Sequence, residues 1–204
     1  PRPDDFQIKQ AVEKIKNSKK PIIISGGGVF YSDAMDELGN FAIKHNIPVT
    51  QTVMGYSTMK KDHSHFVGPI GGLGGKAANN LAKETDLAIC IGTKLADFTT
   101  GSWANFENPE FKLVSINIAR HDANKHLAEA VIGDAKVTLT ELSNAIGDWK
   151  SSDSWHKKSQ VELKSWNEYV DKESGPTNQE LPSYAHAVGA IYRNSDPTDI
   201  AVTA

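Results

Sequence analysis

Short apolar runs rich in β-branched residues recur along this chain and limit what it can fold into. The run over 21–25 stops at three consecutive glycines, and the run over 87–91 stops at Gly92. Strands that are apolar at every position are typical of parallel sheets with helices on both faces. We predict five strands, over residues 21–25, 47–52, 87–91, 111–118 and 130–132.

Amphipathic segments separate these runs. In the first segment, apolar residues lie at helical spacing from Ile8 to Ile15, behind Asp4 and Asp5, either of which can cap a helix. Ser32 is expected to open a second helix, and further helices are predicted over 76–84 and 135–146. The alternation of strands and helices predicts an α/β fold with a doubly wound, mainly parallel, Rossmann-like sheet.

The character of the chain changes after Gly147. Residues 149–180 are polar and carry Trp149, Trp155 and Trp166. We predict one domain over 1–148, a helical linker over 149–180, and over 181–204 the start of a following domain with a strand near 199–203. The tryptophans are expected to bury the linker against a neighbouring domain, and stacking on a ligand is the alternative.

Charge and hydropathy exclude several classes of partner. The net charge is −3, with acids and bases interleaved and no basic run that could follow a phosphate backbone. No apolar stretch approaches the ~20 residues that cross a bilayer, and the polar start lacks the apolar core of a signal peptide. We therefore expect a cytoplasmic protein with neither nucleic acid nor membrane as a partner. Cys90, the single cysteine, is predicted to be a buried thiol.

The turn formed by Gly26, Gly27 and Gly28 follows a buried strand, which is where doubly wound folds admit the phosphates of a ligand. The dinucleotide fingerprint would need a third glycine where Tyr31 stands, and an acid near Gln51. Ordinary NAD recognition is not predicted. A cradle for phosphate or ADP and a tight turn without a ligand both remain open.

Three further segments have alternative interpretations. The loop from Gly68 to Gly75 holds five glycines, so a cofactor or, preferably, another subunit's backbone is expected to approach it closely. Lys94 and Asp97 follow a strand and could contact a ligand, although an ion pair between them is the simpler expectation. His63 and His65 are interpreted as surface histidines rather than metal ligands. No nucleophile accompanies His121 or His126, so no hydrolytic triad is predicted.

A set of short motifs, in this order and spacing, carries a family resemblance: Lys20 to Val29, Ile47 to Val49, Met54-Gly55, Asp62-His63, Gly68, Gly74, Asp86, Gly92-Thr93 and Gly133-Asp134. Over about residues 6–147 the chain resembles the central domain of the thiamine-diphosphate enzymes that include acetolactate synthase, pyruvate oxidase and benzoylformate decarboxylase. Segments 97–102, 108–109 and 116–120 look most like the inositol-catabolic branch, whose members open a cyclic 1,2-dione by hydrolysis.

The resemblance implies that thiamine diphosphate and Mg²⁺ bind in the parent enzyme, between the domains before and after this one. It also implies a homo-oligomer, a dimer or a tetramer. Residues 201–204 resemble the first strand of the diphosphate-binding domain. The chain itself is then expected to be a non-catalytic central domain that contacts its flanking domains.

Acetolactate synthase relatives bind FAD in this domain, and the resemblance transfers their loops to eleven candidate positions: Gly26, Gly27, Gly28, Met54, Gly55, Gly92, Lys94, Asp97, Asn117, Gly133 and Asp134. Lys94 stands where such enzymes carry an arginine, and Asn117 and Ala119 stand where acids are expected. A lysine offers a point charge instead of bidentate contact with a diphosphate, so we expect no FAD. The alternatives are an FAD-binding central domain of a carboligase and a free-standing nucleotide-binding module.

Overall fold

The computed structural model describes residues 1–196 and 198–200. Its strands are β1 Pro21–Ser25, β2 Val49–Gln51, β3 Phe66–Pro69, β4 Leu87–Ile91, β5 Lys112–Asn117 and β6 Glu129–Ile132. Its helices are α1 Asp5–Asn17, α2 Gly27–Tyr31, α3 Met35–His45, α4 Lys76–Glu84, α5 Asp97–Thr100, α6 Arg120–Ala123, α7 Ala135–Ile146, α8 Asp153–Glu173 and α9 Tyr184–Asn194.

The strands form one parallel sheet of six in the order β3-β2-β1-β4-β5-β6. This order reverses direction between β1 and β4, as in a doubly wound fold, so the predicted fold class is confirmed. The prediction of five strands was wrong because β3 was taken as part of the glycine loop. Its four residues include Gly68 and Pro69, which weaken a strand pattern.

The core follows the expected apolar residues. Strand residues that point to one face, such as Ile23, Val49 and Ile89, pack with α1, α3 and α7 in a continuous cluster. The alternate residues of the same strands are buried as well. Cys90 is one of these, which confirms the predicted buried thiol, and burial raises the pKa of that thiol.

Two predicted helix starts had different outcomes. Asp4 caps α1 by accepting from the amide of Phe6, as expected. Ser32 does not open a helix, because the chain already turns into α2 at Gly27 and Ser32 ends that short helix. The longer α3 begins at Met35.

The described chain divides into two compact units, Pro1–Leu163 and the residues from Lys164 onward. The predicted linker helix is present as α8, and a further helix, α9, follows it and is capped by Ser183. The strand expected near 199–203 lies largely outside the described residues. Among the residues that are described, no helix has both the length and the apolar character to span a membrane.

Candidate site at the carboxyl edge of the sheet

The point between β1 and β4 is the place where a doubly wound sheet normally receives a ligand. The structure brings the predicted glycines together there, because Gly26, Gly27 and Gly28 follow β1 and Gly92 follows β4. Gly26 is the residue before α2, and Gly27 and Gly28 form its first turn. The placement of these four residues at one edge is as expected from sequence.

The two glycine turns fill each other's space. The amide of Gly26 donates to the Ile91 carbonyl at 2.8 Å, and the amide of Gly28 donates to the Gly92 carbonyl at 3.0 Å. A Cβ on Gly28 would lie 2.6 Å from the Gly92 Cα, and a Cβ on Gly26 would lie 2.5 Å from the Gly92 oxygen. Backbone packing therefore explains these glycines, and two amides of the supposed phosphate cradle are already bonded within the chain.

The turn after β2 is closed in a similar way. The Gly55 amide donates to the Thr52 hydroxyl at 3.0 Å, and a Cβ on Gly55 would collide with the Ser25 carbonyl oxygen. A Cβ on Gly27 would lie 3.0 Å from the Met54 oxygen, so this turn also packs on the β1 turn. Met54 itself is 75% exposed.

Three polar candidates lie at the ends of β4 and β5. Lys94 and Asp97 are exposed, and none of the ion pairs between described residues joins them, so the expected pair is absent. Asn117 is structural: its Nδ2 donates to the Thr93 carbonyl at 3.2 Å, and its Oδ1 accepts from the Ala119 amide at 2.9 Å. Asn117 thereby ties the β5 turn to the β4 turn.

Gly133 and Asp134 link β6 to α7. Asp134 is the cap of α7, and its carboxylate accepts from the amides of Lys136 and Val137. Burial opposes ionisation of this carboxyl, but hydrogen bonds from Ser32 and from the two amides outweigh it, so the pKa of Asp134 lies below its usual value. A Cβ on Gly133 would lie 2.5 Å from the Thr138 hydroxyl oxygen, which accounts for the glycine.

The glycine loop after β3 also packs against backbone of the same chain. A Cβ on Gly71 would collide with the Phe98 carbonyl oxygen, and the Gly72 amide donates to that same oxygen at 2.7 Å. Asn79 accepts from the Gly71 amide and donates to the Gly71 carbonyl, both at 3.0 Å. The backbone that approaches these glycines is therefore the α5 segment, where another subunit was the preferred expectation.

Sequence reasoning missed a set of large apolar side chains at the same edge. They lie after five successive strands of the sheet and are all exposed: Phe30, Tyr31, Val53, Met54, Tyr56, Leu73, Phe98 and Ile118. Apolar residues directly after predicted strands were the available signal. An edge so rich in exposed apolar groups is typical of a surface that another protein segment covers.

The prediction that His63 and His65 are surface histidines was wrong for His65. His65 is 6% exposed rather than a surface residue, and its ring stacks on His156 with centroids 4.1 Å apart. Its Nε2 lies 3.1 Å from the Asn46 Oδ1. Burial, together with the neighbouring His156 and His63, lowers the pKa of His65 to about 4. No group of His, Cys, Asp or Glu side chains in the described part of the chain is arranged to hold a metal ion.

The linker tryptophans were expected to bury against a neighbouring domain, and Trp155 instead buries in this one. It is 3% exposed, and its Nε1 donates to the Pro21 carbonyl at 2.9 Å. Trp149 packs on the edge of the main core. The first part of α8 thus belongs to the same unit as the sheet.

These features together define a doubly wound, all-parallel domain in which the glycine turns after β1 and β4 pack on each other through their backbones. Residues 8–142 match the family described as thiamine pyrophosphate enzyme, central domain. The chain therefore belongs to this family, as the sequence motifs indicated.

Three relatives illustrate the similarity, and each is a 3D-(3,5/4)-trihydroxycyclohexane-1,2-dione hydrolase. The protein of Clostridium perfringens is 41% identical over 81% of this chain and 26% of its own length. One from Bacillus cereus is 46% identical over 71% of this chain and 22% of its own length. One from Bacillus anthracis is 38% identical over 92% of this chain and 31% of its own length. The chain thus spans about a third or less of each relative.

The family implies thiamine diphosphate, and the described residues of this chain do not fit that group. A diphosphate held through Mg²⁺ needs oxygen ligands on the metal, and the described part of the chain has no cluster of acidic or histidine side chains suited to one. The amides of Gly26 and Gly28, which could have bound a diphosphate, are bonded to carbonyls of the β4 end.

Proposed function

We propose that this chain is the non-catalytic central domain of a thiamine-diphosphate enzyme. Its parent hydrolyses a C–C bond of a cyclic 1,2-dione in inositol catabolism, with thiamine diphosphate and Mg²⁺ bound outside the present residues. The names of the relatives support the reaction class. In such a reaction thiamine diphosphate supplies the nucleophile and the electron sink for C–C cleavage.

The closed turn between β1 and β4 is the observation that carries the non-catalytic role. A nucleotide or FAD at this edge would need free backbone amides and room beside them. The Gly26 and Gly28 amides are occupied, and the Gly92 backbone packs directly against both residues. Lys94 is exposed and offers only a point charge, which supports the expectation that FAD is not held.

The exposed apolar edge supports a role in assembly. Covering Met54, Leu73 and Phe98 with another protein surface would remove apolar area from water, which is the main driving force of association. We propose that the flanking domains of the same chain and a second subunit cover this edge in a dimer or a tetramer. Residues 149–180, whose first part packs on the sheet domain, would act as the linker, and residues 181–204 as the start of the following domain. We also propose a cytoplasmic location.

Thermal unfolding tests the non-catalytic role. The chain would be melted alone and with FAD, ADP, NAD, or thiamine diphosphate plus Mg²⁺, and its absorbance would be scanned for flavin. A ligand at 100 times its dissociation constant stabilises the folded state by ~2.7 kcal/mol, so binding would be easily detected. We expect no shift and no flavin. A clear shift with FAD would favour the carboligase alternative, and one with NAD or ADP would favour a nucleotide-binding module.

A domain exchange tests the assignment to the dione hydrolases. Residues 8–142 would replace the matching segment of the Clostridium perfringens relative, with that enzyme's own segment rejoined through the same junctions as the control. We expect the exchanged enzyme to assemble and to retain dione hydrolysis. An exchanged enzyme that assembles normally but lacks activity, while the control is active, would contradict the assignment.

A further inference from the structure

A stripe of exposed apolar side chains runs along one side of α9. Tyr184, Val188, Ile191 and Tyr192 are three or four residues apart, or adjacent at the last step, so they share one face of the helix. Their exposed fractions are 94%, 64%, 63% and 76%. Because most of each side chain is in water, no described part of the chain covers this face, which we call the α9 stripe.

The composition of α9 is that of a helix that is buried on several sides. Arg193 is its only acidic or basic residue apart from a histidine, whereas α8 carries acids and bases along most of its length. A helix that faces water normally has charged residues on its outer side. The two tyrosines alone, at about 150–250 Å² each, make the stripe as large as the largest apolar patch on an ordinary monomer, ~300–600 Å².

Another side of α9 already has a partner, the end of α8. Gly189 is buried, and a Cβ on it would collide with the Ser174 carbonyl oxygen. Arg193 donates from Nη1 to the same oxygen at 2.6 Å. The one basic side chain of the helix is therefore used in this packing, and the stripe is the side that is left for a second partner.

The order of elements indicates which surface covers the stripe. α9 ends at Asn194, and the sequence predicts a strand near 199–203 after a short connection. A helix and a strand joined by two to six residues are typical of α/β units, in which the helix packs its apolar face on the sheet that contains the strand. The second compact unit, in its described residues, holds α9 and part of α8 but no strand. That sheet must come from other residues.

The lengths of the relatives favour a sheet from the same polypeptide. The chain spans 31% or less of each relative described above, and the protein of Bacillus anthracis aligns with 92% of this chain. A segment tethered directly after α9 reaches the stripe at an effective concentration of about a millimolar. It therefore covers the stripe in preference to a second copy, which must bind from dilute solution.

Building on the proposed function, we infer that the α9 stripe packs on the sheet of the domain that follows in the parent chain. α9 is then the first helix of that domain, and its stripe is the surface through which the domain completes its fold. Without that sheet, Tyr184, Val188 and Ile191 stay in water and α9 is held only by the end of α8.

Hydrogen–deuterium exchange tests this cover in two proteins. One is the present chain, and the other is an exchanged enzyme in which residues 1–204 replace the matching segment of the Bacillus anthracis relative. We expect the α9 amides to exchange at least about tenfold more slowly in the exchanged enzyme, because a covered helix opens less often. Equal exchange in the two proteins would overturn the inference, since the following domain would then add no cover.

A second exchange separates this inference from the proposed function. The same relative with only residues 8–142 exchanged keeps its own helix at the position of α9. If that enzyme assembles and hydrolyses the dione while the 1–204 exchange does not assemble, the proposed function stands and the fit of the α9 stripe is refuted. If the 8–142 exchange assembles without activity, the proposed function fails instead.

Two glutamate variants locate the contact. Val188→Glu places a charge in the stripe, and Val161→Glu is the matched control on α8, where the valine is 59% exposed against 64% for Val188. Glutamate forms helix at least as well as valine, so neither helix is weakened in itself. In the exchanged enzyme, Val188→Glu should return the α9 amides to the fast exchange of the present chain, because a buried unpaired charge is strongly unfavourable. Val161→Glu should leave them protected. Retained protection in Val188→Glu, or equal loss in both variants, would overturn the inference.

Discussion

Gly92 holds the β1 and β4 turns together, because its lack of a side chain lets two backbones touch. Its φ is +61°, and a Cβ there would lie 2.5 Å from the Gly28 Cα. Such contact is with backbone on both sides, so neither turn can yield by changing a rotamer. At the same contact, the amides of Gly26 and Gly28 donate to the carbonyls of Ile91 and Gly92.

Gly92→Ala should therefore destabilise the chain well beyond the cost of its φ. Gly101 offers a matched control, since its φ is +59° and the nearest atom to an added Cβ is a side-chain atom, the Asn105 Nδ2, at 3.2 Å. We expect Gly101→Ala to lower the free energy of unfolding by about 1–2 kcal/mol from backbone strain alone. Gly92→Ala should cost about 1–3 kcal/mol more, the usual range for overpacking. Urea unfolding of both variants measures the difference, and equal losses would refute close packing at Gly92.

At the level of elements, the first turns of α8 act as part of the sheet domain. Trp155 donates to the Pro21 carbonyl, and Lys20 lies over its ring at 5.6 Å from the centroid. Glu84 of α4 pairs with Lys20 at 3.0 Å and also with Lys158 of α8. The side-chain hydrogen bonds from the two lysines lower the pKa of the Glu84 carboxyl, against the effect of burial.

Trp155→Phe tests this anchoring. The substitution removes the indole donor, leaves the Pro21 carbonyl short of a partner and opens a small void, so we expect a loss of about 2–3 kcal/mol in the free energy of unfolding. Trp166→Phe is the control, because Trp166 is only partly buried and stacks on Tyr169 of the same helix. Urea unfolding should show that Trp166→Phe lowers the free energy of unfolding by less than half as much as Trp155→Phe does. Similar losses for the two variants would show that α8 is not anchored through Trp155.

Strong periodicity made some elements predictable to the residue. The ends of α4, β4 and α7 agree with the prediction, because glycine or a capping Asp134 marks them and their apolar spacing is regular. β3 escaped detection because it is four residues long and contains glycine and proline. Its burial depends on pairing with β2, a long-range contact that no local pattern reveals.

The position of the candidate site was predictable from the sequence, but whether it has room for a ligand was not. The glycines after β1 and β4 indicated the correct edge of the sheet, since parallel strands bring their carboxyl ends together. Whether two glycine turns leave room for a phosphate or fill each other depends on distances of about an ångström between segments more than 60 residues apart.

The stability of the whole molecule depends on keeping a group of histidines neutral. Burial is the main cause that lowers the pKa values of His45, His63, His65 and His156. Lys44 and Lys150 further disfavour the charged form of His45, while Asp62 and Asp153 partly favour those of His63 and His156. The Nε2 of His65 donates to Asn46, whose own amide donates to the Ser151 carbonyl at 3.2 Å. Protonation would therefore strain the connection between the sheet and the start of α8.

A histidine with a lowered pKa in the folded state makes the chain less stable in acid. The unfolded chain takes up the proton near pH 6.5 and folded His65 only near pH 4, so the stabilisation is complete above pH 6.5 and is lost as the pH falls towards 4. Between pH 7 and pH 5, where carboxyl groups remain largely ionised, His65 alone should reduce the free energy of unfolding by about 1–2 kcal/mol.

Urea unfolding at pH 7, 6 and 5 measures this slope for the wild type, for His65→Gln and for His121→Gln. His65→Gln retains a side-chain donor for Asn46 but cannot be protonated, so its loss between pH 7 and pH 5 should be smaller than that of the wild type by about 1 kcal/mol or more. His121 is exposed and lies outside the histidine group, so its variant should follow the wild type. A wild-type slope in His65→Gln would mean that the acid sensitivity of the molecule arises elsewhere than at the stacked pair of His65 and His156.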